Sequence, residues 1–297
     1  MRRIMKLCYT LFFKLAPAHM LTLSSLMADS GAVGFFLDLA QKLFARKALL
    51  ASRAFFNENA NRIERVLALM GDEKSREIYR AVVRYRCRRR RRDIRPCMQK
   101  KRTSYLDPAL ILPQDSEVFI DCGAYMGDSS LAFQAHCLAA GKPAPLCVLF
   151  EPEAANIGLL QKWLPKFIRE PFLFQKGLWS QAGRLRFASG FYSSSRIEAS
   201  GGGSIDVDTL DRMLGGLPEL PPVTYIKIDV EGADLEVLQG ARKTIQKDRP
   251  RIAVSIYHSD EHMLQIPEVL HEMCPSYRFF VRHYSCCEAE TVLYCLP

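Results

Sequence analysis

No stretch of this sequence is long and apolar enough to cross a bilayer. The apolar run Leu7–Phe13 follows a short basic stretch and is interrupted by Lys14 and Pro17, whereas a transmembrane helix needs about 20 apolar residues. We expect the first 20 residues to form a docking helix or an amphipathic helix on a surface. Whether they also target the chain stays open.

Cysteine pairs at metal-binding spacing are also absent. The ten cysteines are scattered along the chain and form no C-x-x-C motif, which argues against a zinc site at the usual spacing. Several lie inside apolar runs that read as strands, as buried thiols do in a reducing compartment. The pattern therefore predicts a cytoplasmic protein without a disulfide framework, and the cysteines are assigned to no metal site.

Acidic residues are nearly missing from residues 84–102. This segment holds eleven Lys or Arg and one acid, Asp93, so it contributes +10 and the rest of the chain sums to −1, although the whole protein carries +9. It could be a solvated helix end, where cations are favourable. It could equally bind an anion or lie on a membrane surface. We leave the role of Arg84–Arg95 open between these interpretations.

The rest of the chain predicts an α/β fold in which a helical region precedes a mostly parallel sheet. Residues 1–104 read as an accessory region with helices at 32–50, 59–70 and 72–86, and residues 105–297 as the main domain. Apolar strand runs at 118–122, 147–150, 172–175, 225–230 and 251–257 alternate with helices at 129–140, 154–167, 234–247 and 261–273.

Two further features complete the predicted fold. Residues 183–208 form an antiparallel excursion with a mobile Ser/Gly-rich tip, after which Asp208 caps a short helix. Strands at 277–282 and 291–296 are separated by too few residues for a crossover helix, so they pair antiparallel.

Carboxylates cluster at the end of the predicted strand 225–230. Its aliphatic residues alternate with Lys227, Asp229 and Glu231, which predicts one charged face. The carboxyl ends of such strands are where open α/β sheets bind ligands. We therefore assign Asp229 and Glu231 to an active site.

A glycine turn follows the first predicted strand, between Asp121 and the helix that starts at Asp128. Gly123 permits close approach of a ligand, but the dinucleotide fingerprint G-x-G-x-x-G is missing. Asp128 would repel a pyrophosphate at the helix N-terminus. A cationic cofactor without phosphate, S-adenosyl-L-methionine, fits better, and Glu151 at the end of the second strand could accept both ribose hydroxyls.

Histidines follow the last two long strands. His258 stands beside Tyr257, and His283 stands between Arg282 and Tyr284. Both positions lie at strand ends, which makes these histidines candidates for acid–base chemistry.

Seven ordered segments of the chain resemble the FkbM-type S-adenosylmethionine-dependent methyltransferases. The resemblance covers roughly residue 105 to the C-terminus and leaves the arginine run outside. Its segments are residues 118–128, 150–152, 177–180, 207–211, 226–241, 255–258 and 282–285.

The resemblance implies a Rossmann-like methyltransferase sheet and O-methylation of a sugar, glycan or glycosylated natural product. Carried over by position, Asp121 and Gly123 would hold the methionine part of the cofactor. Ala124 and Tyr125 would also contact the cofactor, Tyr125 standing where commoner methyltransferases have a glycine. Glu151 takes the ribose, and the stretch 176–179, with Gly177 and Leu178, flanks the adenine.

The acceptor side is a hypothesis built on the strand ends. His258 is the first candidate for the base and His283 the second, with Asp229 orienting the base or the sugar. Glu231, Tyr257, Arg282 and Tyr284 are expected to bind substrate. Alternatively, Asp229, Glu231 and His258 converge on Mg²⁺ or Mn²⁺.

Two other functions remain as alternatives. A nucleic-acid methyltransferase would use the basic segment 84–102 as a phosphate track, but only Tyr79 and Tyr85 accompany it and we expect no nucleic-acid partner. A non-catalytic adapter would dock on a membrane through the same segment. We expect a carbohydrate-type acceptor; the oligomeric state is not predicted.

Overall fold

The computed structural model describes residues 46–99, 104–188, 196–197, 203–217 and 219–297. The predicted N-terminal docking helix, most of the helix predicted at 32–50 and the Ser/Gly-rich tip lie outside the described residues. Within the described part, no helix has the length and apolar character needed to span a membrane.

Eleven strands are described in two sheets. They are β1 (Val118–Cys122), β2 (Leu146–Phe150), β3 (Phe172–Phe174), β4 (Gly177–Leu178), β5 (Gly183–Ala188), β6 (Arg196–Ile197), β7 (Gly203–Asp208), β8 (Tyr225–Ile228), β9 (Arg251–Ser255), β10 (Arg278–His283) and β11 (Thr291–Leu296). The main sheet has seven strands in the order β10-β11-β9-β8-β1-β2-β3, and the smaller sheet has the order β4-β7-β5-β6.

The main sheet is parallel except at β11. β9, β8, β1, β2 and β3 pair in parallel, whereas β11 pairs antiparallel with both β9 and β10. This confirms the predicted fold class. Because β10 therefore runs in the same direction as β9, the ends of β1, β2, β8, β9 and β10 share one edge of the sheet.

Nine α-helices are found within the described residues. They are α1 (46–58), α2 (Ala60–Ala68), α3 (Glu73–Arg88), α4 (Asp128–Ala139), α5 (Ala154–Trp163), α6 (Leu210–Gly215), α7 (Asp234–Gly240), α8 (Arg242–Asp248) and α9 (His262–Met273). Short 3₁₀ turns follow at Arg91–Asp93, Arg95–Cys97 and Leu164–Lys166.

Two predicted helix boundaries were wrong. The segment expected to form one helix at 234–247 is divided into α7 and α8, whose caps meet at Ala241. The cap of α6 is Thr209, which accepts a hydrogen bond from Arg212 N. Asp208 does not serve because it is still in β7; its carboxylate instead accepts from Thr209 N at 2.8 Å.

The strand β8 has no solvent-exposed face, although its charged and aliphatic residues alternate. All four of its residues are buried, as is usual for the inner strands of a parallel sheet. Lys227 is 3% exposed, and its Nζ lies 3.1 Å from Oδ1 of the fully buried Asp121. The charged side chain is accommodated by an ion pair across to β1 instead of by solvent.

The N-terminal helices pack against α9 and β10. The Tyr79 hydroxyl donates to the Met263 carbonyl at 2.9 Å, and one hydrophobic cluster includes residues of α2, α3 and the main sheet. The buried guanidinium of Arg282 on β10 contacts Asp72 Oδ2 at 3.1 Å and Asp107 Oδ2 at 3.2 Å. The division at residue 104 stays a prediction, but these contacts tie both sides of it together.

We predict that Arg282→Met lowers the free energy of unfolding by about 3 kcal/mol, because a buried ion pair that loses one partner leaves uncompensated carboxylates. Chemical denaturation monitored by circular dichroism measures the loss. Arg278→Met at the exposed first residue of the same strand is the matched control, with an expected change below about 0.5 kcal/mol. Equal effects of both variants would contradict the assignment.

Candidate active site

The turn after β1 and the turn after β8 are in direct contact. Gly123 has φ +81°, and a Cβ added there would lie 2.0 Å from the carbonyl oxygen of Asp229. Only glycine fits such an approach. Lys227 Nζ donates to the Gly123 carbonyl at 2.7 Å, and Ser130 Oγ donates to Asp121 Oδ2 at 2.7 Å, so the turn is fixed from both sides.

Glu151 lies over this glycine turn. Its Oε2 accepts from Tyr125 N at 2.8 Å, and its Oε1 accepts from Glu153 N at 3.0 Å and from Asn156 Nδ2 at 3.2 Å. Tyr125 has φ +48°, a left-handed conformation that directs its N–H to the carboxylate. Burial raises the pKa of Glu151, against the effect of these hydrogen bonds.

The structure thus brings together five residues that the sequence assigned to the cofactor. Ala124 N joins the group by donating to the Phe150 carbonyl at 3.0 Å. Gly177 and Leu178 follow at the end of β3, whose Phe174 is paired with Phe150 of β2. Gly177 and Leu178 are buried, and they pair with β7.

A second group surrounds the imidazole of His258. Nδ1 lies 2.7 Å from Oδ2 of Asp234, while Nε2 lies 3.4 Å from Asp229 Oδ1 and 3.6 Å from Glu231 Oε2. Burial works against the charged imidazole, but the attraction and hydrogen bond of Asp234, followed by Asp229 and Glu231, raise the pKa of His258 to about 9.

Glu231 is the second titrating group of this cluster. Burial and the nearby Asp229 raise the pKa of Glu231 to about 7, against the opposing effect of His258. Its backbone has φ +53°, a strained conformation for a non-glycine residue. The turn that carries Glu231 therefore directs a carboxylate toward His258 at the expense of backbone strain.

Sequence reasoning did not identify Asp234 as part of the site. It is fully buried and accepts from Val230 N and Gly232 N, each at 3.2 Å, as well as contacting His258. A carboxylate at the start of a helix, three residues after Glu231, was the signal that could have indicated it. It is a positioning residue that fixes both the turn and the ring.

Tyr105 was also missed. Its hydroxyl donates to Asp229 Oδ2 at 2.8 Å and lies 2.9 Å from Ser255 Oγ. The sequence assigned no role to Tyr105, because a contact between residues 124 positions apart has no local signal.

The loop after β9 is supported by the N-terminal region. The Tyr257 ring packs on His258 with centroids 4.2 Å apart, and the Tyr257 carbonyl accepts a hydrogen bond from Arg86. Arg86 is 4% exposed and also pairs with Asp260 Oδ1 at 2.6 Å. One arginine of the basic segment is therefore buried beneath the loop that carries His258.

The other expected acceptor-side residues are engaged elsewhere in the sheet. His283 Nδ1 lies 2.9 Å from Thr291 Oγ1, and burial lowers the pKa of His283 to about 4. Arg282 forms the ion pairs with Asp72 and Asp107 described above, and the Tyr284 hydroxyl lies 2.5 Å from that of Tyr294. Their contacts favour a structural interpretation over the predicted catalytic and substrate-binding roles.

Two sets of metal-ligating groups meet at His258. Asp229 and Glu231 face Nε2, as the metal alternative expected. Asp234, His258 and His262 form another set, in which one ligand atom from each residue lies within 4.8 Å of the others. The hydrogen bond between His258 Nδ1 and Asp234 orients the ring and leaves Nε2 facing Asp229 and Glu231, an arrangement that suits acid–base chemistry.

A mostly parallel seven-stranded sheet with an antiparallel β11 and a glycine turn after β1 defines the Rossmann-like methyltransferase class. The chain belongs to the FkbM methyltransferase family, because the sequence model of the methyltransferase FkbM domain matches residues 121–277, more than half of the chain. The resemblance found in the sequence is confirmed.

A solved structure is similar over most of the chain. The methyltransferase FkbM from Methylobacillus flagellatus KT superposes with a TM-score of 0.70 at 22% identity, covering 82% of this chain and 60% of that one. The chain thus spans less than two thirds of that protein. No curated protein matches the sequence significantly.

Two other solved structures are more distantly similar. The precorrin-6y C5,15-methyltransferase from Geobacter metallireducens GS-15 gives a TM-score of 0.37 at 15% identity, with 62% of this chain and 80% of that one covered. The fibrillarin from Aeropyrum pernix, solved with bound S-adenosyl-L-methionine, gives 0.40 at 10% identity, with 65% and 73% covered.

We predict that Asp234→Asn lowers the pKa of His258 from about 9 toward or below its ordinary value of 6.5, because burial keeps disfavouring the cation after its main partner is neutralised. An NMR titration of the imidazole resonances measures the pKa of His258 in each variant. Glu236→Gln on the same helix is the control and should leave the value near 9. A pKa that stays near 9 in both variants would show that Asp234 does not hold the ring.

Proposed function

We propose that this protein is an S-adenosylmethionine-dependent O-methyltransferase that acts on a hydroxyl of a sugar, glycan or glycosylated natural product. The observation that carries the proposal is the arrangement of His258, whose Nδ1 is held by the buried Asp234 while Nε2 faces Asp229 and Glu231. This group is adjacent to the glycine turn after β1, because the Asp229 carbonyl packs directly on Gly123.

The residues of the first group fit S-adenosylmethionine. When bound, this cofactor supplies a methyl group on a positively charged sulfur. Asp121, Gly123, Ala124 and Tyr125 would hold its methionine part, in a turn whose shape is fixed by the contact between Gly123 and the Asp229 carbonyl. Glu151 would accept the ribose hydroxyls, and Gly177 and Leu178 would flank the adenine.

The proton chemistry favours an oxygen acceptor. A sugar hydroxyl is weakly acidic and needs a base when it becomes a nucleophile, whereas a neutral amine already carries a free lone pair. Asp234 fixes Nδ1–H and leaves Nε2 to accept the proton, the arrangement of an oriented histidine base. Nε2 is buried and has no hydrogen-bond partner among the described residues.

The carboxylates beside Nε2 suit a carbohydrate. Ionised Asp229 and Glu231 accept hydrogen bonds, so they can orient the hydroxyls next to the one that reacts. Tyr105 would keep Asp229 in place through its hydroxyl, and the Tyr257 ring beside His258 offers an apolar face for a sugar ring. Asp229 and Glu231 therefore belong to the acceptor side of the site.

We predict that Glu151→Gln weakens binding of S-adenosylhomocysteine about 10- to 100-fold, because hydrogen bonds to a charged acceptor are worth about 1.5–3 kcal/mol. Isothermal titration calorimetry measures the affinity. Glu170→Gln, at an exposed carboxylate, is the control and should bind like the unchanged protein. Undetectable binding by the unchanged protein would instead favour the non-catalytic adapter.

We predict that His258→Gln lowers kcat about 10²- to 10⁴-fold, the usual contribution of a general base, without changing the affinity for S-adenosylhomocysteine. With the unchanged protein, kcat/KM should rise as pH approaches about 9, since the base must be neutral and its pKa is raised to about 9. Transfer of a labelled methyl group gives both quantities. His271→Gln on α9 is the control, and turnover retained in His258→Gln would remove this residue from the role.

The acceptor itself is found by offering labelled S-adenosylmethionine with separate glycan, nucleotide-sugar, lipid and RNA pools. The proposal expects labelled carbohydrate with an alkali-stable methyl ether. A signal confined to RNA would contradict it. Repeating the active reaction after exhaustive chelation separates base catalysis, which persists, from the metal alternative, which does not.

A further inference from the structure

The basic segment divides into arginines that hold the fold and arginines that face solvent. Arg86 is buried against Asp260, and Arg89 pairs with Glu288 Oε1 at 2.5 Å. Six others are exposed and have no ion-pair partner within the described residues: Arg84, Arg88, Arg90, Arg91, Arg92 and Arg95. The one acid of this stretch, Asp93, is half-buried, so the exposed surface is strongly positive.

The segment is held in place on the body of the protein. Arg89 ends α3 in a left-handed conformation, and Gln99 N donates to the His283 carbonyl at 2.7 Å. Met98 forms a bridge with His283. Fixing six like charges within twelve residues costs electrostatic energy, and binding an anion relieves that cost.

Its position is next to the acceptor side of the site. Arg86 bonds the Tyr257 carbonyl, directly before His258, and Gln99 bonds the end of β10. The segment that carries the exposed arginines is therefore anchored at the ends of β9 and β10. The cofactor residues are at the ends of β1 and β2, and β8 with its carboxylates lies between the two.

We infer that the exposed arginines form a docking rim for an acceptor that carries sulfate or phosphate groups on a carbohydrate. The inference rests on the proposed function for the nature of the acceptor. Arginine guanidinium groups bind such oxyanions with paired N–H donors. The acidic cluster around His258 would repel these groups, so the rim binds the charged part of the acceptor while its hydroxyl reaches Nε2.

Two other polyanions fit this surface less well. Proteins that bind single-stranded RNA usually stack its bases on exposed aromatic rings between the basic residues, but Tyr79 and Tyr85 are 0% and 6% exposed. An anionic membrane would cover the same edge of the sheet through which an acceptor reaches His258. RNA and anionic vesicles are therefore included as competing ligands in the experiment.

The experiment measures binding without catalysis. Fluorescently labelled sulfated dextran oligosaccharide and neutral dextran of equal length are titrated with the whole protein at several salt concentrations. The variant Arg90→Gln/Arg91→Gln/Arg92→Gln removes three of the six exposed charges. Lys162→Gln/Lys166→Gln/Arg169→Gln, exposed residues at the β3 end of the sheet, removes three charges elsewhere. Thermal unfolding confirms that both variants fold.

We expect salt-sensitive binding of the sulfated probe, a loss of at least about tenfold in the arginine variant and little change in the control. Equal binding of neutral dextran, or equal losses in both variants, would overturn the inference. So would tighter binding of a single-stranded RNA of equal charge, or of phosphatidylserine vesicles. Because no methyl transfer is measured, failure of the proposed function would leave the binding result intact, and the reverse also holds.

Discussion

The contact on which the site depends is the one between the turn after β1 and the turn after β8. Lys227 is buried between them, bound to Asp121 on one side and to the Gly123 carbonyl on the other. Burial opposes its charge, but Asp121, then Asp229 and Asp128, raise the pKa of Lys227 above its usual value. A buried charge of this kind is tolerable only while its partners stay in place. The geometry of the glycine turn is therefore coupled to that of the carboxylates at the end of β8.

Several residues of these two turns have unusual backbone conformations. Gly123 and Gly232 adopt positive φ, and so do Tyr125 and Glu231, although they are not glycines. Each of these strained residues is fixed by a neighbour: Tyr125 by the carboxylate of Glu151 and the 230–232 turn by Asp234. Glu151 and Asp234 thus have two effects each: they fix a turn by hydrogen bonds, and they place a carboxylate in the site. Strain kept in this way is typical of functional sites.

The sheet could be predicted from the sequence because its strands are apolar runs, which are a local signal. The carboxylates at the strand ends could be predicted because they directly follow these runs in the sequence. The break between α7 and α8 could not be predicted from the sequence. It lies next to Gly240, where a Cβ would be 2.2 Å from the Trp179 carbonyl oxygen, and this close packing between distant residues has no local signal. Tyr105 and Arg86 reach the site from distant parts of the chain. The catalytic and cofactor roles of the individual residues stay predictions, because convergence in space does not by itself define a role.

Arg86 connects the accessory helices with the chemistry. Arginine is the residue that can bond a carbonyl and a carboxylate at once through its fork of N–H groups, and here it does so with Tyr257 and Asp260. The loop that positions His258 is thereby held by a helix outside the region matched by the family, residues 121–277. The arginines next to it face solvent along the same edge. A change in the length or angle of α3 would therefore move the exposed charges and the support of His258 together, so the basic surface and the acidic site keep a fixed spacing.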